Sequence, residues 1–146
     1  MINAAIVGLG RWGQNLVDSV QGSSSNISFV AGITRTKSNA VDYCKKNNID
    51  LRDTYEEVIG DSNIDAVVLA TPHSQHADQI MKAASFGKHV FSEKPFTLDA
   101  KSAQAAVDAC MKAGVVVALG HNRRFMENII ALKALVESGE LGTLLH

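Results

Sequence analysis

The sequence predicts an α/β domain with a doubly wound parallel sheet, and three observations carry that expectation. Short β-branched runs alternate with longer, Ala-rich segments of helical period. The short runs are apolar almost throughout, as strands are when helices cover both faces of a sheet. The segment Gly8-Leu9-Gly10-Arg11-Trp12-Gly13 follows the first such run and opens the first helical one. Repeated βα units connect by right-handed crossovers, and the expected strand order is 3-2-1-4-5-6.

Element by element, Ala4–Val7 reads as the first strand and Gln14–Val20 as a helix that ends near Gly22. Ile27–Ile33 is the second strand. Ser38–Lys46 follows as a helix, with Ser38 placed to accept a bond from an unpaired first-turn amide. Ile49–Leu51 is a weak third strand, followed by a short helix over Tyr55–Ile59. Ala66–Ala70 is the fourth strand, and His76–Ser85 a helix closed by Gly87. Val90–Ser92 is the fifth strand, and Asp99 caps a helix over Ala100–Lys112. Val115–Leu119 is the sixth strand, and Asn128–Glu137 a helix ending at Gly139. A further apolar run, Leu141–Leu145, reads as the first piece of a second domain, with a terminal edge strand as the alternative. The expected division is therefore a nucleotide-binding domain over 1–120 and, over 121–146, a helix and the start of a truncated second domain.

Bulk properties narrow the function classes. A chain of 146 residues, 46% hydrophobic and 20% charged, suits one folded domain with a real core. A net charge of −1 gives no electrostatic case for nucleic acid or an anionic membrane. An aromatic content of 5% argues against base-stacking platforms. Cys44 and Cys110 match no metal or CxxC spacing and read as buried thiols in a reducing compartment. No metal site is expected, because His, Cys, Asp and Glu nowhere cluster at ligand spacing. Met1 runs straight into a strand pattern without a leader, and no apolar run is long enough for a bilayer. A cytoplasmic protein is the expectation.

The glycine segment carries the chemistry. Gly8 permits the tight strand-to-helix turn, Gly10 lets backbone amides approach a diphosphate, and Gly13 allows close helix–strand packing. The helix N-terminus beyond them offers unpaired N–H groups and the positive end of its dipole. No G-K-[ST] follows, which disfavours a P-loop NTPase. An NAD site usually places Asp or Glu about 20 residues further on, to bond the ribose 2′-hydroxyl. Here the second strand ends in Thr34-Arg35-Thr36-Lys37-Ser38, with no carboxylate in the turn. Thr34, Arg35, Thr36 and Ser38 supply hydroxyls and a guanidinium suited to a 2′-phosphate, so NADP is expected over NAD. The alternative is a solvated basic turn that tolerates either cofactor.

Three further segments are distinctive: Thr71-Pro72-His73-Ser74-Gln75-His76, Gly87-Lys88-His89-Val90-Phe91-Ser92-Glu93-Lys94-Pro95 and Asn122-Arg123-Arg124-Phe125. Together with the glycine segment they make the chain similar to the glucose–fructose oxidoreductase and inositol dehydrogenase (Gfo/Idh/MocA) family along essentially its whole length. The resemblance implies an N-terminal Rossmann domain, which in the family is followed by a second α/β domain carrying substrate residues and the oligomer interface. It implies a homo-oligomer that moves hydride to or from a carbinol of a sugar, cyclitol or related polyol. Lys94 takes the place of the active-site lysine, which as a partly desolvated ammonium trades the carbinol proton, and Glu93 orients it or the nicotinamide ribose. By the same resemblance Thr71, Pro72, Asn122 and Arg123 line the cofactor or substrate, while Leu9, Arg11 and Trp12 lie near its phosphates. Trp12 fits a cap over the sheet edge equally well. His76 is a cofactor contact or a surface helix cap, and Arg124-Phe125 is a site segment or an anchor with Phe125 in the core. A binding module without turnover, and more remotely an S-adenosylmethionine-dependent transferase, are the competing functions.

Overall fold

The computed structural model describes residues 1–143 and Leu145. Strands β1 (Ile2–Val7), β2 (Ile27–Ile33), β3 (Asp50–Leu51), β4 (Ala66–Leu69), β5 (His89–Ser92) and β6 (Val117–Leu119) form one sheet. Every pairing is parallel and the order is β3-β2-β1-β4-β5-β6, as expected. Helices α1 (Arg11–Asp18), α2 (Val41–Lys46), α3 (Tyr55–Gly60), α4 (His76–Ser85), α5 (Ala100–Ala113) and α6 (Glu127–Glu137) connect and follow the strands. This is a Rossmann fold.

Side chains of the central strands alternate between two cores, the pattern a two-sided sheet demands. Ala5, Val7, Val67, Leu69 and Val90 pack against Val58 and Ile59 of α3, Ile80 and Ala83 of α4, and Ala106 and Cys110 of α5. Ala4, Ile6, Phe29 and Val68 face the other way, onto Val17 of α1 and Cys44 of α2. Truncating a fully buried residue such as Ile80 to Ala removes about 2–5 kcal/mol.

The strand register decides where a ligand can sit. Ile33 pairs with Val7, Val7 with Leu69, Leu69 with Ser92, and Ser92 with Leu119. Five strands therefore end in one row, and Thr34, Gly8, Ala70, Glu93 and Gly120 all emerge along a single rim.

Local signals explain most boundaries. Asp99 Oδ1 accepts the Ser102 amide at 2.8 Å, the expected cap of α5, and Gly114 closes that helix in the left-handed conformation. Lys88 is buried, with Nζ donating to the carbonyls of Asp61 and Ile64 at 2.7 Å each. It ties the turn before β4 to the start of β5.

Several expectations are corrected. α1 starts at Arg11, directly after the glycine turn, and stops at Asp18. Ser38 caps nothing: it lies inside a 3-10 turn over Lys37–Asn39, and α2 starts only at Val41 without a side-chain cap. β6 is shorter than its apolar run: it starts at Val117, after Val116, which is 63% exposed. α6 buries none of its residues, and Phe125, 78% exposed, is not in the core. Of the run Leu141–Leu145, expected to begin a second domain, Leu144 lies outside the described residues, as does His146, and the described remainder forms no strand.

Candidate functional site

The two outer glycines of the first turn are dictated by the fold. Gly8 has φ +103°, and a Cβ there would lie 2.6 Å from the Ala70 carbonyl oxygen. A Cβ on Gly13 would be 1.9 Å from the Gly8 carbonyl oxygen. Gly10 differs. Its φ is −72°, which any residue adopts, and a Cβ there meets nothing within 4 Å. Nothing in the folded chain explains this glycine, so the open space above it is the feature to be explained. Gly10 also caps α1 without any side-chain bond to the first-turn amides, which leaves those N–H groups to an external acceptor.

A cavity of about 490 Å³ opens over this turn, lined by Gly8, Gly10, Thr34, Arg35, Thr71 and Pro72 together with Asp53, Tyr55, Gln75 and Gln79. A second, of about 390 Å³, is lined by Trp12, Glu93, Lys94, Asn122 and Arg123. Both are walled by Ala70 and Thr71, so the two lie side by side along the rim where the strands end. A larger space of about 550 Å³ between the end of β6 and α6 is lined by Arg124 and Phe125, so that pair stands apart from both of these cavities.

The structure thus gathers most of the predicted residues and excludes some. Leu9 turns its side chain into the core, 3% exposed. Arg11 stands exposed at the first position of α1. Gly13 is buried against Gly8, while Thr36 and Ser38 line neither cavity. Trp12, 45% exposed, walls the second cavity rather than the sheet edge. His76 is no surface cap: it is 1% exposed, beneath the site and outside both linings.

Polar contacts hold the walls. Thr71 Oγ1 donates to Gln79 Oε1 at 2.6 Å, and Tyr55 Oη donates to the Gln79 carbonyl at 2.8 Å. Burial, and then the charge of Glu56, holds the Tyr55 phenol far above its ordinary range, so it stays a donor. Glu93 is 8% exposed and its Oε2 accepts the Lys94 amide at 3.1 Å. A Cβ on Gly120 would lie 2.9 Å from Glu93 Oε1, so this glycine makes room for the carboxylate. Lys94 itself is exposed, and its ammonium forms no ion pair among the described residues. The desolvation expected of it is not supplied by the residues around it here.

Asp53, Tyr55, Gln75 and Gln79 were not predicted. Asp53 follows the two-residue β3 and comes to the cleft only because β3 pairs with β2 beside Gly32. A carboxylate therefore does reach the Thr34–Arg35 end, but from another strand, and Lys37 forms an ion pair with it. Neither Arg11 nor Arg35 has an acidic partner among the described residues. Those residues also hold no His, Cys, Asp and Glu cluster able to bind a metal and no helix long and apolar enough to cross a membrane.

Comparison with known proteins agrees with this fold. Residues 2–121 match the GFO_IDH_MocA model, described as "Oxidoreductase family, NAD-binding Rossmann fold". The chain is 37% identical to scyllo-inositol 2-dehydrogenase (NAD(+)) of Bacillus subtilis over 97% of its length and 42% of that protein. It is 29% identical to inositol 2-dehydrogenase of Salmonella typhimurium, over 97% of the chain and 43% of the relative. Among solved structures, scyllo-inositol dehydrogenase from Lactobacillus casei, crystallised with NAD(H) and scyllo-inositol, superposes with a TM-score of 0.89 at 28% identity, covering 97% of this chain and 42% of that one. The chain spans about two fifths of the length of these relatives.

Proposed function

The chain belongs to the Gfo/Idh/MocA oxidoreductase family with its NAD-binding Rossmann fold, and from that premise we propose that it is the cofactor-binding part of a dehydrogenase acting on a cyclitol or sugar-like polyol. The observation that carries the reading is the open space above Gly10, at an uncapped helix N-terminus, between two cavities that share Ala70 and Thr71. A dinucleotide fits that arrangement: its diphosphate over Gly10, one nucleoside toward Thr34 and Arg35, the other toward Lys94.

NADP is the preferred cofactor in this proposal. Thr34 and Arg35 line the far end of the first cavity, and neither Arg35 nor Arg11, at the first position of α1, has an acidic partner among the described residues. Asp53 opposes a phosphate there, but Lys37 balances its charge. Bound nicotinamide supplies or accepts the hydride. Lys94 holds and returns the proton of the substrate hydroxyl, and Glu93 fixes the backbone that carries Lys94. The names of the relatives support the substrate class, inositols and similar polyols.

A second reading has one observation in its favour: Lys94, Asn122 and Arg123 are all exposed, as in a module that binds NADP without turning substrate over. Titration with NADPH, NADH and S-adenosylmethionine, read by fluorescence of the single tryptophan, Trp12, tests the proposal. Saturable quenching by NADPH, stronger than by NADH, is expected, and a response to S-adenosylmethionine alone defeats it. Lys94→Met separates the two readings. In a dehydrogenase, turnover of an inositol falls by about 10²–10⁴-fold with NADPH affinity kept; in a binding module there is no turnover to lose.

A further inference from the structure

We infer that His76 is a positioning residue that joins the two lips of the cleft and so sets where Lys94 stands against the dinucleotide site. The inference rests on the cofactor reading above for its functional meaning, but its structural basis is independent of it. The imidazole opens α4 and is 1% exposed. Nδ1 lies 2.9 Å from the Pro95 carbonyl oxygen and Nε2 lies 3.0 Å from the Thr71 carbonyl oxygen. One acceptor belongs to the segment leaving β4, the other to the segment leaving β5.

Among the described residues no other hydrogen bond joins these segments. The ladder between the two strands ends where the Glu93 amide meets the Leu69 carbonyl at 3.0 Å. Beyond it, among the described residues, no backbone or other side-chain bond connects residues 70–75 with residues 94–97. Thr71 walls both cavities, and Lys94 immediately precedes Pro95. The same ring therefore touches the wall of the cofactor cleft and the peptide next to the proton-transfer residue.

The chemistry suits histidine and little else. A carbonyl oxygen only accepts, so each ring nitrogen binds by donating. The ring secures one lip with a single N–H and both when both nitrogens carry protons. A phenylalanine fills the same space but donates to neither carbonyl, so every bond the ring makes to the two lips is lost, at about 1 kcal/mol each. A glutamine carries amide donors and restores part of the link.

The test compares the whole chain with its His76→Phe and His76→Gln variants. In hydrogen exchange without ligand, His76→Phe is expected to speed exchange about tenfold at Gln75 and Lys94, the amides that donate to the Pro72 carbonyl and to Glu93 Oε2 in the two lips, with the central strands unchanged and His76→Gln intermediate. In titrations, NADPH affinity is expected to fall about tenfold in His76→Phe, while that of adenosine 2′,5′-bisphosphate, which lacks the nicotinamide half, stays the same. Unchanged exchange at both lips, a uniform rise over the whole chain, or equal loss for the two ligands overturns the inference. Failure of the unsubstituted chain to bind NADPH defeats the cofactor reading instead and leaves exchange to decide the role of His76.

Discussion

A β-carbon on Gly13 would stand 1.9 Å from the carbonyl oxygen of Gly8, a distance no packed protein accommodates. The first helix can lie this close to the first strand only while residue 13 has no side chain, and that closeness aims the α1 amides at the rim.

Gly13→Ala is therefore expected to destabilise the fold by about 1–3 kcal/mol, seen as a lower urea midpoint. Gly10→Ala is expected to cost about 1 kcal/mol or less, the worth of the cap preference alone, since its new methyl meets no protein atom. NADPH affinity should nonetheless drop tenfold or more, because the methyl fills the ligand's approach. If Gly10→Ala binds NADPH as well as the unsubstituted chain, the diphosphate does not lie there.

At the far end of the cleft, Arg35→Ala is expected to lower the NADPH-to-NADH affinity ratio by about 10–100-fold, the worth of one or two charge-assisted bonds. Thr34→Asp should push it the same way by adding a carboxylate that repels a 2′-phosphate. An unaltered ratio in Arg35→Ala removes the case for NADP. Calorimetric titration with both cofactors measures it.

Much of this was legible in the sequence because the signals were local. Ile27–Ile33 and His76–Ser85 have the predicted bounds, since apolar runs bounded by turn residues mark such elements directly. The strand order followed from the glycine turn, which among doubly wound folds marks the dinucleotide-binding arrangement. What escaped depends on contacts distant in sequence. Asp53 reaches the cleft through a strand of two residues that no periodicity announces. His76 has the sequence signature of a helix-opening surface residue, and only the meeting of the β4 and β5 exits buries it. The apolar pattern of α6 suggests a packed helix, yet pattern alone does not say what a helix packs against, and here it buries nothing.

Lys88 is expected to matter for stability although it lies away from the cleft. Lys88→Met keeps the aliphatic stem but removes both bonds from Nζ to the Asp61 and Ile64 carbonyls. A loss of about 2 kcal/mol is expected in urea unfolding, with NADPH affinity preserved. A midpoint equal to that of the unsubstituted chain shows that the ammonium does not hold that turn.

Asp99 gives a pH-dependent test. The Ser102 amide holds its carboxyl below the usual carboxylate range in the folded chain. A depressed folded pKa means the cap's contribution is complete above the unfolded value, roughly 4, and is lost as pH falls through the folded one. Asp99→Ala should melt at a lower temperature than the parent at pH 7, with the gap narrowing on acidification below pH 4. A gap that stays constant with pH shows that the carboxylate charge contributes nothing there.

The row in which Ile33, Val7, Leu69, Ser92 and Leu119 terminate together has a wider consequence. Successive loops leave a shared baseline, and the ties between neighbours are few: Lys37 to Asp53 at one end, His76 between the β4 and β5 exits at the other. On the proposed function, the Thr34–Lys37 bend selects among nucleotides at one extreme and the Glu93–Pro95 hook meets the reactant at the other, while Ala70 and Thr71 wall both cavities. A swap of the bend made together with its partner Asp53 is then expected to change which coenzyme is accepted and to leave the hook in place.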